Sequence, residues 1–175
     1  MTSPRAQAGF TLVELMIVLA ILGIMATIGI PSFMGLVPRF RLNNNTMVLA
    51  GEIAAARVRA ISKSTDFRIT FNLDPVNSYA IEKYDETAPG SGVWGWRSMG
   101  ETKLSGTVLA SADGFNTAQT MVAYASGQVN VPLGGPAASI ELRTEWEMDI
   151  RKRIRVEPTG RTYVERWSGG SWTKE

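Results

Sequence analysis

The sequence predicts an α+β protein in which a long N-terminal helix, half in the membrane and half amphipathic, packs on a small antiparallel β-sheet domain. Residues 15–38 carry no charged side chain, and apolar residues then recur at three- and four-residue steps as far as Lys63. From Asp66 the apolar period changes to two, which is typical of a strand with one buried face. The predicted organisation is a leader at 1–9, a transmembrane helix segment at 10–38, an amphipathic helix half at 39–64 and a β domain at 65–175.

The composition excludes several classes of functional site. The 175 residues include neither Cys nor His, which rules out disulfides, thiolate nucleophiles, Cys/His zinc sites and His-based catalytic relays. Phosphate loops, EF-hand loops, serine elbows and paired-carboxylate signatures are also missing from the sequence. We therefore predict a protein that is not an enzyme and has no catalytic residues, cofactor or metal. The formal net charge of +2 does not by itself indicate nucleic-acid binding.

The apolar segment Leu15–Pro38 is long enough to span a membrane. It contains 24 residues, whereas a helix needs only about 20 to cross the hydrocarbon of a bilayer. A secretory signal peptide would have an apolar core of about 7–15 residues followed by a small-residue cleavage site. Here the small residues Ala6, Ala8 and Gly9 come before the apolar segment. This order predicts a single membrane-spanning helix rather than a signal peptide cut by ordinary signal peptidase.

The stretch "GFTLVELMIVLAILGIMATIGIPSF", Gly9 to Phe33, resembles the class III leader and N-terminal helix of type IV pilins and pseudopilins. The resemblance implies that prepilin peptidase cuts between Gly9 and Phe10 on the cytoplasmic side and methylates the new Phe10 amine. Glu14 would be the fifth residue of the mature chain. The resemblance further implies a bacterial inner-membrane protein that passes the membrane once, with a periplasmic globular domain, and that later enters a pilus or pseudopilus.

Glu14 is the one carboxylate within the apolar N-terminal region. An unpaired ionised carboxylate in hydrocarbon costs several kcal/mol, so such a group is usually paired or neutralised. No Lys or Arg lies between Arg5 and Arg39. Cleavage after Gly9 would create a cation, the Phe10 amine, at the depth of Glu14, either in the same subunit or in its neighbour in a filament. We therefore predict a role for Glu14 in filament assembly; the alternative is a carboxylate that extends to the membrane surface.

The helix is predicted to run from about residue 11 to residue 63. Pro31 removes a backbone donor inside this range and predicts a kink, and Pro38 predicts a second bend near the membrane exit. The outer half is predicted to pack on the globular domain through one apolar face. That face comprises Met47, Ala50, Ile53 or Ala54, Val58 and Ile61.

The β domain is predicted from alternating patterns and turn residues. Strands are predicted at 67–73, from Tyr79 to Lys83, near 103–109, 121–125, 128–131 and 138–143, and at 162–167. Residues 85–101 are predicted to form a glycine-rich loop that carries Trp94 and Trp96, and the tail "WSGGSWTKE" is predicted to be a flexible end. For Glu145–Val156 two alternatives remain: a hairpin that reverses near Ile150, or one straight strand.

A second resemblance lies near the C-terminus. Arg153-Ile154-Arg155-Val156, followed by Gly160-Arg161, is similar to the final hairpin of the GspH/FimT pseudopilin domain. Together the two resemblances imply a minor pilin or pseudopilin that helps to initiate or cap a type IV pilus or a type II secretion pseudopilus. Its implied partners are prepilin peptidase and other major and minor pilins or pseudopilins.

The alternative function is DNA binding during DNA uptake. Some FimT-type minor pilins bind DNA through a Gly-Arg-x-Arg motif, but here Tyr163 replaces the second Arg. The candidate phosphate-binding residues are Arg151, Lys152, Arg153, Arg155 and Arg161. Residues 141–175 contain eight basic and seven acidic side chains. This near balance favours a solvated charged face over a DNA-binding surface.

Overall fold

The structure of the protein is a computed structural model that describes residues 10–88, 90–115, 119–131, 137–145 and 149–175; within the first helix the side chains of residues 31–34 lie outside this description. The chain divides between Val37 and Pro38 into two compact units. The leader and Gly9 lie outside the described residues. The predicted α+β class is confirmed, since an apolar helix is followed by a second helix that packs on antiparallel sheets.

Two helices replace the single predicted helix. Helix α1 runs from Leu12 to Met34 and α2 from Leu36 to Lys63, so Gly35 separates them. Pro38 explains the position of the break, because its ring would clash with the Met34 carbonyl if the helix continued. In the first turn of α2 the same proline is tolerated, since an N–H there needs no helical partner. Helix α1 includes Pro31, and the kink predicted there stays a prediction.

The buried face of α2 is only partly the predicted one, since Ile53 is buried and Ala50 packs against the core but the other predicted members do not. Met47, Val58 and Ile61 are 57%, 63% and 48% exposed. The face that packs on the sheets comprises Leu42, Thr46, Leu49, Ile53, Ala56 and Ala60. Both faces have a helical apolar period, so periodicity alone could not choose between them. The hydroxyl of Thr46 donates to the Leu42 carbonyl over 2.7 Å, which allows a polar residue on the buried face.

In the part of the chain that the structure describes, nine strands form two antiparallel sheets. The strands are β1 Phe67–Asn72, β2 Ser78–Glu86, β3 Trp94–Lys103, β4 Thr107–Asp113, β5 Thr120–Ala123, β6 Ala138–Thr144, β7 Arg151–Val156, β8 Thr162–Ser168 and β9 Ser171–Lys174. Sheet A has the order β3-β2-β1-β5 and sheet B the order β4-β6-β7-β8-β9. One core joins both sheets to α2, and its largest side chains include Tyr79, Phe67 and Phe71.

The prediction of a loop at 85–101 is largely wrong, because β2 continues to Glu86 and β3 begins at Trp94. Tyr84 lies opposite Trp96 in the register, and their rings meet edge to face at 5.3 Å. Cross-strand aromatic pairs of this kind stabilise a hairpin despite the neighbouring glycines. The β3 strand is mostly exposed and lies at an edge of sheet A.

The tail predicted to be flexible forms an ordered hairpin of β8 and β9. Gly169 and Gly170 have φ values of 58° and 89°, which suit a two-residue hairpin turn. Trp167 pairs with Trp172, and their rings meet edge to face at 5.2 Å. The prediction of a flexible end is therefore wrong, because the two indoles hold the strands together.

The remaining strand predictions differ at their boundaries. The strand predicted near 103–109 starts at Thr107, and the one predicted at 128–131 is reduced to an isolated bridge between Ala123 and Val129. The chain reverses between β6 and β7, which excludes the straight strand over Glu145–Val156. Trp146, Glu147 and Met148 lie outside the described residues. The acid opposite Arg153 is therefore Glu141, which belongs to β6.

Candidate processing and assembly site

The first turn of α1 is closed by reciprocal hydrogen bonds between Thr11 and Glu14. The Glu14 amide donates to Thr11 Oγ1 over 3.2 Å. Glu14 Oε2 accepts from the Thr11 amide at 2.8 Å and from the Thr11 hydroxyl at 2.9 Å. This arrangement is a capping box, in which two otherwise unpaired helix donors are satisfied. The Thr-x-x-Glu spacing of a capping box is present in the sequence, but the predictions for Glu14 were a cation partner or a position at the membrane surface.

The capping box gives Glu14 a partner within its own chain before any cation is available. All the hydrogen bonds to its carboxylate in the described residues use Oε2. Phe10, whose amine cleavage would free, immediately precedes Thr11 and is 91% exposed. The Glu14 carboxylate is therefore hydrogen-bonded to Thr11, the residue next to Phe10. Within the described residues its Oε1 atom accepts no hydrogen bond, so this atom is available to a second donor.

Helix α1 is apolar enough to cross a membrane. Residues Leu12–Ile30 form a 19-residue span with a mean hydropathy of 2.5, none of it buried in the structure. At 1.5 Å per residue this span is about 28 Å long, close to the roughly 30 Å of bilayer hydrocarbon. Leu12, Ile24 and Ile28 are 73%, 63% and 74% exposed, so large apolar side chains are available to lipid or to another helix.

Helix α2 carries a second apolar face, opposite to the buried one, which we call the outer stripe. Its members are separated by alternating steps of four and three residues, and all are exposed. They are Phe40, Asn44, Met47, Gly51, Ala54, Val58 and Ile61. An alternating four–three spacing is the heptad pattern with which helices pack side by side. The apolar residues that the sequence analysis assigned to the domain core thus largely belong to this exposed stripe.

The five basic candidates for phosphate binding do not all lie on one surface. Arg151, Arg153 and Arg155 point to the solvent side of β7, whereas Lys152 points inward and is 8% exposed. Lys152 Nζ donates to Asn43 Oδ1 at 2.7 Å and to Glu175 Oε2 at 2.5 Å. It therefore links α2 to the end of sheet B and is not available to a phosphate.

Carboxylates accompany the outward arginines. Arg153 Nε donates to Glu165 Oε2 at 2.8 Å, and Arg155 lies 3.9 Å from the same carboxylate. Arg151 lies 3.5 Å from Glu141. Partly buried pairs of this kind lower the local field that a phosphate chain would meet.

Arg161 is exposed and follows the turn at Gly160. Gly160 has φ 77° and packs against the side chain of Arg57 on α2. The Arg57 Nε donates to the Gly127 carbonyl at 2.8 Å. The glycine of the Gly-Arg pair therefore has a packing role in the domain, independent of any ligand.

Comparison with known sequences identifies a motif near the N-terminus. A family described as "Prokaryotic N-terminal methylation motif" matches residues 4–30. The type IV major alpha-pilin of Moraxella bovis is 44% identical over 53 residues, which cover 30% of this chain and 31% of that protein. The type IV major pilin protein PilE1 of Neisseria gonorrhoeae is 30% identical over 112 residues, 63% of this chain and 47% of that protein. The chain thus spans between about a third and a half of the length of the curated relatives that it matches.

Comparison with solved structures concerns the globular part. The minor pseudopilin EpsH from the type II secretion system of Vibrio cholerae matches with a TM-score of 0.53 at 12% identity, covering 71% of this chain and 92% of that one. The type IV minor pilin FimU of Pseudomonas aeruginosa matches with a TM-score of 0.52 at 13% identity, covering 77% and 94%. The N-terminus of the chain is thus similar to that of type IV pilins, and its fold is that of EpsH and FimU.

The chain carries the N-terminal methylation motif and shares its fold with a minor pseudopilin and a minor pilin. The pilins and pseudopilins that the chain resembles are structural subunits rather than enzymes. The apolar α1 agrees with a membrane-anchored pilin. In this context the capping box and the outer stripe lie on the two helices that would carry assembly contacts.

Proposed function

We propose that the protein is a minor pilin or pseudopilin, a structural subunit that helps to initiate or cap a type IV pilus or a type II secretion pseudopilus. Residues 1–9 are the leader, which prepilin peptidase removes before it methylates the Phe10 amine. Residues 10–38 hold the protein in the inner membrane in a single pass, and residues 65–175 lie in the periplasm. The 39–64 segment connects the two.

The observation that carries this proposal is the exposed apolar surface of the two helices. A soluble domain does not normally leave such a surface uncovered, because contiguous exposed apolar area marks a membrane or protein contact. Helix α1 is long enough and apolar enough to cross a membrane. The outer stripe on α2 begins beyond this span and has the spacing for helix packing. A subunit that moves from a bilayer into a helical filament needs both surfaces.

Glu14 acts in this proposal as the acceptor for the Phe10 amine of a neighbouring subunit. Before assembly, Thr11 satisfies the carboxylate and lowers the cost of placing it at the end of an apolar helix. During assembly, a methylated amine from another subunit binds the free oxygen. The same carboxylate thus has an intramolecular partner in the membrane and an intermolecular one in the filament.

The test compares Glu14→Gln with Thr11→Val in a bacterium that assembles type IV filaments. Glu14→Gln keeps a side chain that can serve in a capping box but removes the charge. Thr11→Val removes the capping hydroxyl but keeps the carboxylate. Intact-mass measurement should show that both variants lose residues 1–9 and gain one methyl group.

We expect Glu14→Gln to be depleted from sheared filaments and Thr11→Val to enter them nearly as well as the wild type. Equal incorporation of wild type and Glu14→Gln would contradict the pairing role of the carboxylate. An uncleaved wild-type chain in a strain with active prepilin peptidase would contradict the proposed function itself.

A further inference from the structure

The outward side of sheet B concentrates positive charge. Alternate residues of β7 point to this side, while Ile154 and Val156 between them lie in the core. We call this side the basic face and define it by its charged members. These are the cations Arg143, Arg151, Arg153, Arg155 and Lys174 and the carboxylates Asp113, Glu141 and Glu165, as the strand register pairs them.

Within the described residues, five cations against three carboxylates leave the basic face with a net charge of +2. The composition of the surrounding sequence does not show this excess of positive charge, since residues 141–175 hold eight basic and seven acidic side chains. The fold separates them: Glu145 and Asp149 lie in the exposed connection between β6 and β7, and Glu175 pairs with Lys152. The charge of this surface is a property of the strand register and not of the composition.

Some guanidinium groups on the basic face lack sufficient acceptors. Arg143 lies directly opposite Arg151 across β6 and β7, and like charges in such positions repel. The Nε atoms of Arg151 and Arg155 are buried and have no hydrogen-bond partner in the described residues. Buried polar atoms without partners are uncommon in folded proteins.

The arginines are held in fixed positions by aromatic rings. The guanidinium of Arg151 lies 4.7 Å from the ring centre of Trp167, and that of Arg153 lies 4.3 Å from the ring centre of Trp172. Stacking of this kind holds the planar guanidinium while its edge donors stay available. A preorganised arginine loses less side-chain entropy when it binds a planar anion.

We propose that the basic face binds an acidic segment of a partner protein, whose carboxylates pair with Arg143, Arg151 and Arg155. The charge complementarity is direct, because the face is two charges positive and its free donors are guanidinium edges. Arginine matches a carboxylate with two parallel hydrogen bonds. The binding surface belongs to the globular unit alone, so the proposal holds whether or not the chain enters a filament.

Two features favour a protein over a nucleic acid as the partner. Single-stranded nucleic acid binds through bases stacked on open aromatic rings, whereas here Trp167, Trp172 and Tyr163 are already covered by Arg151, Arg153 and Lys174. In addition, Glu141 and Glu165 lie between the cations, where they would repel a continuous phosphate chain. Separate carboxylates on a peptide can reach the free guanidinium edges and avoid these acids.

The test measures binding of a fluorescein-labelled oligoglutamate peptide to the full chain in nonionic detergent by fluorescence anisotropy. An oligoglutamine peptide of the same length controls for peptide backbone, and a labelled oligothymidylate represents nucleic acid. Arg143→Gln with Arg155→Gln removes two cations from the basic face. Arg97→Gln is the matched control, because Arg97 is an exposed arginine on β3 of the other sheet. Glu141→Gln makes the face more positive.

We expect salt-sensitive binding of oligoglutamate, weakened about tenfold or more by the double variant and less than about twofold by Arg97→Gln. Glu141→Gln should tighten the binding, a gain that misfolding could not produce. Oligothymidylate and oligoglutamine should bind more weakly than oligoglutamate. Binding that none of these substitutions changes, or tighter binding of oligothymidylate than of oligoglutamate, would overturn the proposal.

Discussion

Gly160 packs directly against the side chain of Arg57, in the turn between β7 and β8. A Cβ atom at Gly160 would overlap Arg57 Cδ and lie 2.6 Å from Arg57 Nε. The guanidinium side chain cannot withdraw freely, because its Nε donates to the Gly127 carbonyl at 2.8 Å. This contact joins α2 to the hairpin that resembles the final hairpin of the GspH/FimT domain.

We expect Gly160→Ala to lower the free energy of unfolding of the globular unit by about 2–4 kcal/mol, since the new Cβ meets both a left-handed backbone and a clash. Gly169→Ala is the matched control: Gly169 also has a positive φ, of 58°, but nothing lies within 4 Å of a Cβ there. Urea unfolding in detergent, followed by tryptophan fluorescence, measures the free energy of unfolding of both variants. All five tryptophans lie between residues 94 and 172 and therefore report on this unit.

An Arg57→Ala background separates the clash from the backbone strain at Gly160. Without the Arg57 side chain, Gly160→Ala should cost about as much as Gly169→Ala. If Gly160→Ala costs the same with and without Arg57, the contact does not determine the choice of glycine.

Trp172 stabilises the C-terminal hairpin through Trp167 and Arg153. We expect Trp172→Ala to lower the free energy of unfolding by about 1–2 kcal/mol, the sum of an aromatic pair and a cation–π contact. Hydrogen exchange should show faster exchange at the amides of β9. Trp94→Ala is the control, since Trp94 is 56% exposed. Unchanged protection of β9 in Trp172→Ala would show that the indole does not hold the hairpin.

The raised pKa of Tyr79 predicts that the folded protein loses stability at alkaline pH. Burial raises the pKa of its hydroxyl, and the negative charge of Glu52 raises the pKa further, although a hydrogen bond with Thr102 lowers it. The unfolded chain releases this proton near pH 10 and the folded chain only at higher pH. The contribution to stability is therefore complete below about pH 10 and is lost as the pH rises towards the folded pKa.

Tyr79→Phe should remove this part of the pH dependence. The free energy of unfolding of the wild type should fall more steeply above about pH 10 than that of Tyr79→Phe, as measured by urea titrations at several pH values. Tyr124→Phe is the control, because Tyr124 is 38% exposed. Parallel slopes for wild type and Tyr79→Phe would contradict the assignment to Tyr79.

The outer stripe predicts a defect in assembly without a defect in folding. The double substitution Met47→Lys and Val58→Lys places two charges on a surface that would be buried between helices. The free-energy cost of burying these charges should reduce the amount of protein in sheared filaments to about a tenth of the wild-type amount or less. Val76→Lys with Met99→Lys is the matched control, since these side chains are 51% and 52% exposed on the β domain. Tryptophan fluorescence should show the same unfolding midpoint for both pairs. Normal incorporation of the stripe variant would exclude this face from the filament contacts.

The predictions from sequence succeeded where the pattern had only one interpretation. Strand β1 alternates strictly between buried and partly buried residues and starts within a residue of the predicted position. On α2 the pattern had two interpretations, and we assigned Met47, Val58 and Ile61 to the wrong face. For β3 and β9, glycines beside Trp94 and Trp172 suggested loops, because the cross-strand aromatic contacts that order these strands were not visible in local composition.

The sequence by itself determined the apolar span of α1, the pilin motif around Phe10 and the α+β class, because each depends on local order along the chain. The tertiary structure alone decided which side of α2 is buried and how charge is distributed over sheet B. Both depend on long-range pairing: the register sets Arg143 opposite Arg151 and carries Lys152 inward to Asn43 and Glu175. Composition near neutrality could not reveal a face with a charge of +2, since only the register assigns each side chain to one side of the sheet.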